Sequence, residues 1–535
     1  MTAGRTGAPL LAASLVLALA AGCGGTSAGG TDAGPPRSGG TLTLGIAANP
    51  DCIDPQQGGS NADLNVGRQL VDSLTDQDGR TGTLQPWLAT SWSANDDATR
   101  FTFRLRHGVT FADGTPLTAT SVKQNLDEIV RLGARASLGS SYLVGYRGTT
   151  VPDRYTAVVR FSAPSAQFLQ ATSTPSLGLL APASLAADPG TRCRGGKLVG
   201  SGPFTVGSYA QNREVVLRRR AGYRWGSALF RHPGPAYLDT VRVQVLPESG
   251  VRTGALQSGQ VDAVTDVPPS DEDGLTAAGL REQVRANPGF VFSLYPNLSR
   301  PLLRDAAVRQ ALQLGIDRRE IVSIVLTGSY RPATSVLAAS TPTYANLASR
   351  LAYRPAKARA VLAADGWRVG SDGIRTRHGT RLRLRVIYAS LFNQSQQVLE
   401  LAQQHLKKVG VELELAPVTP GEQASLDGTD RYDLSWGNLT RADPDILRTL
   451  FSVRFHNSDQ LTTSPLESDL TAQAGTLDPG RRAAISRRLQ RTLIDGGYAI
   501  PVFELTQVLG VGPAAHGIAY EASSRLQLHD AWKAG

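Results

Sequence analysis

Cysteine is scarce in this 535-residue chain, which contains only Cys23, Cys52 and Cys193. None belongs to a C-x-x-C pair, and no histidine lies close to them in the sequence. Paired cysteines and histidines at short spacing are the usual signature of a zinc or haem site. We therefore predict neither a metal site nor a cofactor.

The motifs of exported hydrolases are also missing. The chain has no H-E-x-x-H and no S-x-x-K in a catalytic context, and its G-x-S-x-G match falls in the glycine-rich run at residues 25–29. That motif positions a nucleophile only between a strand and a helix. The sequence predicts that the protein is not an enzyme, and an exported hydrolase is kept as the less favoured alternative.

The chain has no apolar run long enough to cross a membrane. The longest, from Ala8 to Ala21, follows the single basic residue Arg5 and is about 14 residues long, whereas a spanning helix needs about 20. This pattern predicts a signal peptide over residues 1–22. Gly22-Cys23 resembles the bacterial lipobox, although Ala20 stands where leucine is preferred, and this resemblance implies that Cys23 is lipidated. An ordinary signal peptide with a chance cysteine is the alternative.

Residues 23–40 contain glycine, serine, threonine and proline but no large apolar side chain, so we expect a flexible tether. No long basic block follows it. The formal charge of +10 comes from dispersed arginines, with one dense cluster at Arg218–Arg220. This distribution and the predicted export argue against a nucleic-acid partner. The remaining length of about 500 residues exceeds what one hydrophobic core usually serves, which predicts at least two domains.

The most informative stretch runs from Gln69 to Leu126. Phe101, Phe103 and Leu105 alternate with polar residues, which predicts a half-buried strand. Thr118 then has the character of a helix N-cap. Behind it, apolar residues at helical spacing predict one buried face, formed by Val122, Leu126, Ile129 and Val130.

Three segments of this stretch resemble the family 5 solute-binding proteins of ABC importers: PWLATSW, FTFRLRHGVTFADGTPLTA and SVKQNL. The resemblance resumes at LVGSGPFTVGSY and continues in fold order to the C-terminus. Ser121 departs from the family, which often carries an acidic residue there. The resemblance implies an α/β protein with the type II periplasmic-binding-protein fold, in which two lobes meet at a hinge and the first lobe carries an inserted subdomain.

The resemblance also implies a domain division. We expect the first lobe at residues 41–82, 197–288 and 504–535, its inserted subdomain at 83–196, and the second lobe at 289–503. Within the second lobe, alternation around Leu382–Tyr388, a helix carrying His405 and the strand VELELA predict a βαβ unit with parallel strands. His405 is predicted to be a core or boundary residue, not a ligand or a base.

If Cys23 carries lipid, Cys52 and Cys193 remain as a pair. Outside the cytoplasm two such thiols more often form a disulfide than stay free. We predict that they are bonded, which would join two segments about 140 residues apart.

The segment YDLSWGNLTRADPDIL, from Tyr432, resembles the family's ligand-contacting segment. We predict that five of its residues contact the ligand: Trp436, Asn438, Thr440, Arg441 and Asp443. Trp436 fits a core aromatic equally well. Asp443-Pro444-Asp445 fits a helix entry, with an aspartate N-cap and proline at N1.

In peptide-binding members an acidic residue at the position of Thr440 pairs with the peptide ammonium. A hydroxyl cannot supply that charge-assisted bond, although Asp443 or Asp445 could substitute. The resemblance implies a monomeric lipoprotein on the outer face of the cytoplasmic membrane. It would deliver a peptide or peptide-like solute to ABC permease subunits. A cleft-bearing lipoprotein for sensing or scavenging remains an alternative.

Overall fold

The computed structural model describes residues 34–326, 328–389 and 392–534. The predicted signal peptide, Cys23 and most of the predicted tether lie outside these residues. The first predicted strand forms as Thr41–Ile46, with its apolar side chains buried.

That strand lies inside a mixed sheet that we call the sheet of the first lobe. It pairs in parallel with a strand on each side, and antiparallel strands complete both edges. Among the described residues this sheet has seven strands, in the spatial order Arg281–Ala286, Thr506–Val511, Ala263–Val264, Thr41–Ile46, Thr240–Val245, Glu214–Arg219 and Phe204–Ala210. The sheet thus combines segments from the beginning, middle and end of the chain.

A second mixed sheet defines the second lobe. Among the described residues its strands follow the order Arg331–Pro332, Ile500–Glu504, Gly289–Pro296, Leu434–Thr440, Arg383–Ala389 and Glu412–Val418. The last two pair in parallel across the helix Ser395–Lys407, which confirms the predicted βαβ unit. His405 is fully buried on that helix, as predicted, and its Nε2 lies 2.9 Å from Glu320 Oε2.

A third, antiparallel sheet lies within residues 83–196, the segment that we call the insert. Its strands follow the order Ala89–Ala94, Arg100–Leu105, Thr156–Phe161 and Tyr146–Asp153. Phe101 and Phe103 are fully buried in its core, which confirms the predicted alternation. The neighbouring helix begins after Thr118, as predicted, and Ser121 Oγ accepts a hydrogen bond from the Thr118 N–H at 3.2 Å. The serine therefore performs the capping role that an acid would have.

One residue of that helix was placed on the wrong face. Val130 is exposed, whereas Val122, Leu126 and Ile129 are buried as predicted. Val130 follows Ile129 directly, and a step of one residue turns a helix by about 100°, so adjacent residues do not share a narrow buried stripe.

The remaining elements connect and cover the sheets. The helices are Asn61–Leu70, Ala119–Leu132, Ser137–Tyr142, Phe168–Ala171, Pro182–Leu185, Pro189–Cys193, Ser249–Gln257, Pro269–Ala277, Pro301–Arg304, Ala306–Gly315, Arg318–Ile321, Pro355–Ala364, Ser395–Lys407, Pro420–Leu426, Ile446–Phe451, Glu467–Ala474 and Pro479–Asp495. The short strands are Thr75–Gln77, Leu84–Pro86, Arg368–Val369, Arg375–Arg377, Thr380–Arg381, Ala515–His516, Ala519–Tyr520, Leu526–Gln527 and Trp532–Lys533. Within the described ranges, no helix combines the length and apolarity needed to cross a membrane.

Two short connections join the sheets of the two lobes. Strand Arg281–Ala286 leads through residues 287–288 into Gly289–Pro296, and Ile500–Glu504 leads through Leu505 into Thr506–Val511. The two connections are bonded to each other, because Asn287 N–H donates to the Leu505 carbonyl at 2.8 Å. Such paired crossings are where one lobe can rotate against the other.

Candidate functional site

Thr440 lies at the end of its strand beside the crossing between the lobes. Its Oγ1 accepts a hydrogen bond from Asn287 Nδ2 at 3.0 Å, and the next residue donates its N–H to the Pro288 carbonyl at 3.0 Å. Gly289 has φ +111°, and a Cβ there would lie 2.4 Å from the Leu439 carbonyl oxygen. The strand carrying Thr440 is thus packed directly against the hinge.

Arg441 bridges the second lobe and the insert. Its Nη2 donates to Ser141 Oγ at 2.8 Å and its Nη1 to Gln167 Oε1 at 3.1 Å, while the guanidinium lies 4.5 Å from the centre of the Tyr142 ring. The side chain is almost fully buried. These contacts join the second lobe directly to the insert.

The aspartates that follow are held by arginines of their own lobe. Arg482 donates to both oxygens of Asp443, at 2.6 and 2.7 Å, and Arg448 donates to both oxygens of Asp445 at 2.8 Å. Burial of Arg482 is offset by the Asp443 charge, and the net effect is a raised pKa of the guanidinium. These carboxylates are committed to internal ion pairs.

The helix-entry alternative for this segment was partly right. Asp445 is the N-cap of the helix Ile446–Phe451, so Pro444 precedes the cap and does not occupy N1. Asp443 Oδ1 accepts the Asp445 N–H at 2.8 Å. The Asp443 carboxylate therefore stabilises the turn that immediately precedes the helix.

Trp436 points into the core of the second lobe. Its ring stacks on Phe292 with 5.2 Å between centroids, its Nε1 donates to Ser395 Oγ at 3.2 Å, and only 2% of the residue is exposed. The core alternative describes this placement. Asn438 lies two residues further along the same strand and is partly exposed, where the strand leaves the core.

Sequence reasoning missed a group of charged residues at the C-terminal end of the chain. Arg525 is 6% exposed, and its Nε and Nη1 have no hydrogen-bond partner among the described residues. Burial lowers its pKa, and the nearby Glu521 carboxylate acts against that shift. Arg68, which stacks over Trp87, likewise has a buried Nε without a partner within the described ranges.

These side chains converge from both lobes. The guanidinium of Arg441, from the second lobe, lies over the Tyr142 ring. The Glu521 charge, from the first lobe, acts on Tyr142, Arg525 and Arg68. We call Arg68, Tyr142, Arg441, Glu521 and Arg525 the inter-lobe cluster. Apart from Glu521 and Arg525, its residues lie at least 74 positions apart in the chain, so no local sequence pattern could have revealed it.

Asp72 is a buried carboxylate on which Arg68 of this cluster acts. Asp72 accepts hydrogen bonds from Tyr223 Oη at 3.0 Å and from Trp225 Nε1 at 2.8 Å. Burial raises the pKa of Asp72 to about 7, against the lowering effect of Trp225 and Arg68. Tyr223 and Trp225 are fully or nearly buried, as expected for packing residues.

Residues 83–459 match the model of the bacterial extracellular solute-binding proteins, family 5, middle region. The chain belongs to family 5. This assignment agrees with the mixed sheets, the paired crossings and the insert, which together form the two-lobed type II fold. Family 5 proteins are extracytoplasmic solute-binding proteins.

Other family 5 proteins are similar over nearly the whole chain. The glutathione-binding protein GsiB of Salmonella typhimurium is 24% identical over 470 residues, covering 84% of this chain and 86% of that protein. NikA from Brucella suis, solved with Fe(III)-EDTA, superposes with a TM-score of 0.80 at 21% identity, covering 92% of this chain and all of that one. The oligopeptide-binding protein AppA from Bacillus subtilis, solved with a nonapeptide, gives 0.74 at 20% identity, covering 94% and 100%.

The structure of this family 5 protein joins Cys52 to Cys193 by a disulfide. The Ile53 N–H donates to the Cys193 carbonyl at 3.0 Å, so the backbone is bonded at the same point. Beside it, fully buried Arg192 lies 3.2 Å from Asp54 and 2.9 Å from Glu128. The disulfide and the ion pairs of Arg192 together fix the loop after the first strand. None of their residues belongs to the inter-lobe cluster.

Proposed function

We propose that this family 5 protein is a lipoprotein that captures a peptide or peptide-like solute with a free carboxylate and delivers it to the permease subunits of an ABC importer. The observation that carries the proposal is the buried guanidinium of Arg525, in which two nitrogen atoms, Nε and Nη1, lack partners among the described residues. A desolvated cation without acceptors is costly, and a solute carboxylate would supply them.

The neighbourhood favours a solute that does not depend on a free amine. Thr440 occupies the position of the ammonium-binding acid and already accepts a hydrogen bond from Asn287. Asp443 and Asp445, the residues that could substitute, are neutralised by Arg482 and Arg448. We assign Asn438 and Thr440 to neutral hydrogen bonds with the solute, Arg441 to holding the closed lobes, and Asp443 to the turn before the helix Ile446–Phe451.

We propose that the lobes close on the solute by rotation about residues 287–288 and Leu505. A solute that contacts both lobes only in the closed state shifts the population toward that state. The division at residues 41–82, 197–288 and 504–535 for the first lobe, 83–196 for the insert and 289–503 for the second is supported by strand membership. Each of the three large sheets takes its strands from one of these sets, apart from Glu504 at the boundary.

Binding should depend on the solute carboxylate and not on its amine. We would measure calorimetric affinities and tryptophan fluorescence for a tripeptide library, with each member free, N-acetylated or C-terminally amidated. Amidation is expected to weaken binding about 10- to 100-fold, the value of a charge-assisted hydrogen bond, and acetylation by less than about threefold. Arg525→Met should reproduce the loss caused by amidation, whereas Arg80→Met, at an exposed arginine, should bind normally.

Two results would contradict this assignment. One is tight binding that requires a free N-terminal amine. The other is unchanged affinity in both Arg525→Met and Thr440→Ala. Uptake of the bound tripeptide by a strain that lacks this gene then separates import from sensing or scavenging. Uptake should be lost if the protein supplies an importer, and should remain if it only senses or scavenges. Turnover of the tripeptide by pure protein would instead support a hydrolase.

We also propose that Cys23 anchors the protein to the outer face of the cytoplasmic membrane. Cys23→Ser is expected to leave the chain unprocessed or to release it from membranes, because the lipid is attached to the cysteine sulfur. Membrane fractionation and intact mass measure this. A Cys23→Ser protein of mature size that still sediments with membranes would show that the anchor is not lipid on Cys23.

A further inference from the structure

Two histidines and an aspartate from distant parts of the chain meet outside the inter-lobe cluster. His529 Nδ1 lies 2.8 Å from Asp530 Oδ1, and His232 Nε2 lies 3.6 Å from the same oxygen. All three ligand atoms are within 4.8 Å of one another. His232 belongs to the segment before the strand Thr240–Val245, whereas His529 and Asp530 belong to the C-terminal segment.

The hydrogen bonds of His529 determine which nitrogen is available. Its Nε2 lies 2.8 Å from the Gly234 carbonyl oxygen, which can only accept, so Nε2 carries the hydrogen. In the neutral ring Nδ1 then carries a lone pair and no hydrogen. It faces Asp530 Oδ1, and these two acceptors repel each other. A second proton on the ring or a cation between the two atoms would remove the repulsion.

The surroundings of His232 favour the second possibility, a cation between the side chains. His232 Nε2 is buried and makes no hydrogen bond within the described part of the chain, although 22% of the side chain is exposed. A proton on His529 leaves this nitrogen unsatisfied, whereas a shared metal ion would use it.

The spacing and the surrounding bonds suit zinc. With metal–ligand distances of about 2.0–2.1 Å, neighbouring ligand atoms of a tetrahedral site lie about 3.3 Å apart. The two separations measured to Asp530 Oδ1 fall on either side of that value. The carboxylate is oriented by the Arg231 N–H, which donates to Oδ2 at 2.9 Å, and His529 is oriented by the Gly234 carbonyl. Such outer bonds are typical of metal-ligating side chains.

We propose that His232, His529 and Asp530 form a zinc site that fastens the C-terminal segment to the first lobe. Two imidazoles and one carboxylate leave a fourth position for water or another donor. The fastened segment also carries Arg525, four residues before His529, so the ion would stabilise the segment that forms one wall of the inter-lobe cluster. No short-range motif indicates this site, because His232 and His529 are separated by 297 positions in the chain.

The test uses the full chain purified in detergent and stripped with EDTA. Zinc content after dialysis is measured by elemental mass spectrometry, and affinity by competition with a chromophoric chelator. We expect one zinc ion per chain in the wild type. His232→Gln and Asp530→Asn should weaken binding by more than about 100-fold, beyond the effect of losing an outer bond. His107→Gln is the matched control, since that histidine also stacks on an aromatic ring, Tyr155, but lies outside the site.

Thermal unfolding of the same samples guards against misfolded variants. The stripped variants should unfold like the stripped wild type, and zinc should raise the unfolding temperature of the wild type and His107→Gln only. Zinc bound equally well by His232→Gln and Asp530→Asn would overturn the proposal. So would a wild type that holds no zinc in the competition assay, since the cluster would then be an imidazolium–carboxylate pair.

Discussion

Removing the disulfide between Cys52 and Cys193 is expected to lower the free energy of unfolding by about 4–5 kcal/mol. The bond closes a loop between residues 141 positions apart, and the loop-closure entropy removed from the unfolded chain grows with the logarithm of that length. Residual structure in the unfolded chain would make the loss smaller. The backbone hydrogen bond from Ile53 to Cys193 remains in the variant but cannot restrain an unfolded chain.

Urea unfolding of Cys52→Ala/Cys193→Ala, with and without reductant, measures this loss. Reductant should move the wild-type midpoint to that of the variant and should leave the variant itself unchanged, which is the internal control. Non-reducing peptide mapping of the exported protein provides a second measurement. Two freely alkylatable thiols there, or a variant as stable as the oxidised wild type, would be incompatible with a bond that forms in the cell.

The sequence predicted those parts of the fold that depend on neighbours in the chain. Alternation placed Phe101 and Phe103 in a core, and the helix after Thr118 began where its cap required. The parallel pair around His405 followed because a short crossover allows few topologies. In each case the determining residues lie within one element or between adjacent ones.

The candidate site was harder because it depends on contacts that no local pattern encodes. Arg441 reaches Ser141 across 300 positions. Asp443 is paired with Arg482 of the helix Pro479–Asp495, and Asp445 with Arg448 of the helix that it caps. Spacing alone could not reveal that these charges are already neutralised. Arg525 was missed for the complementary reason, since an arginine in a basic chain is unremarkable until its burial and lack of acceptors are known.

Trp436 illustrates a separate limit. Side chains alternate across a strand, so a change of one position decides between core and cleft. Resemblance locates the strand Leu434–Thr440 near the ligand but does not fix which face each residue occupies. The indole lies against Phe292, and the partly exposed Asn438 marks where the strand becomes available.

Arg192→Met is expected to destabilise the protein by about 3–5 kcal/mol at neutral pH. The guanidinium is fully buried and lies against the carboxylates of Asp54 and Glu128. Its removal leaves the buried Asp54 without its cation and leaves Glu128 with the exposed Arg131 alone. Methionine has a similar length and is apolar, so lost packing contributes little. Arg131→Met is the matched control: Arg131 pairs with the same Glu128 but is 62% exposed, and its loss should cost no more than about 1 kcal/mol.

The pH dependence distinguishes loss of the buried cation from a general packing defect. Burial raises the pKa of Asp54 in the folded state, and Arg192 acts against that rise. A group whose folded pKa exceeds its unfolded value binds more protons when folded, so stability falls as pH increases through that interval. Without Arg192 the pKa of Asp54 rises further and the interval widens upward. Urea unfolding should therefore show a smaller loss for Arg192→Met at pH 5 than at pH 7.5, and an equal loss at both would indicate that packing, not charge, explains the defect.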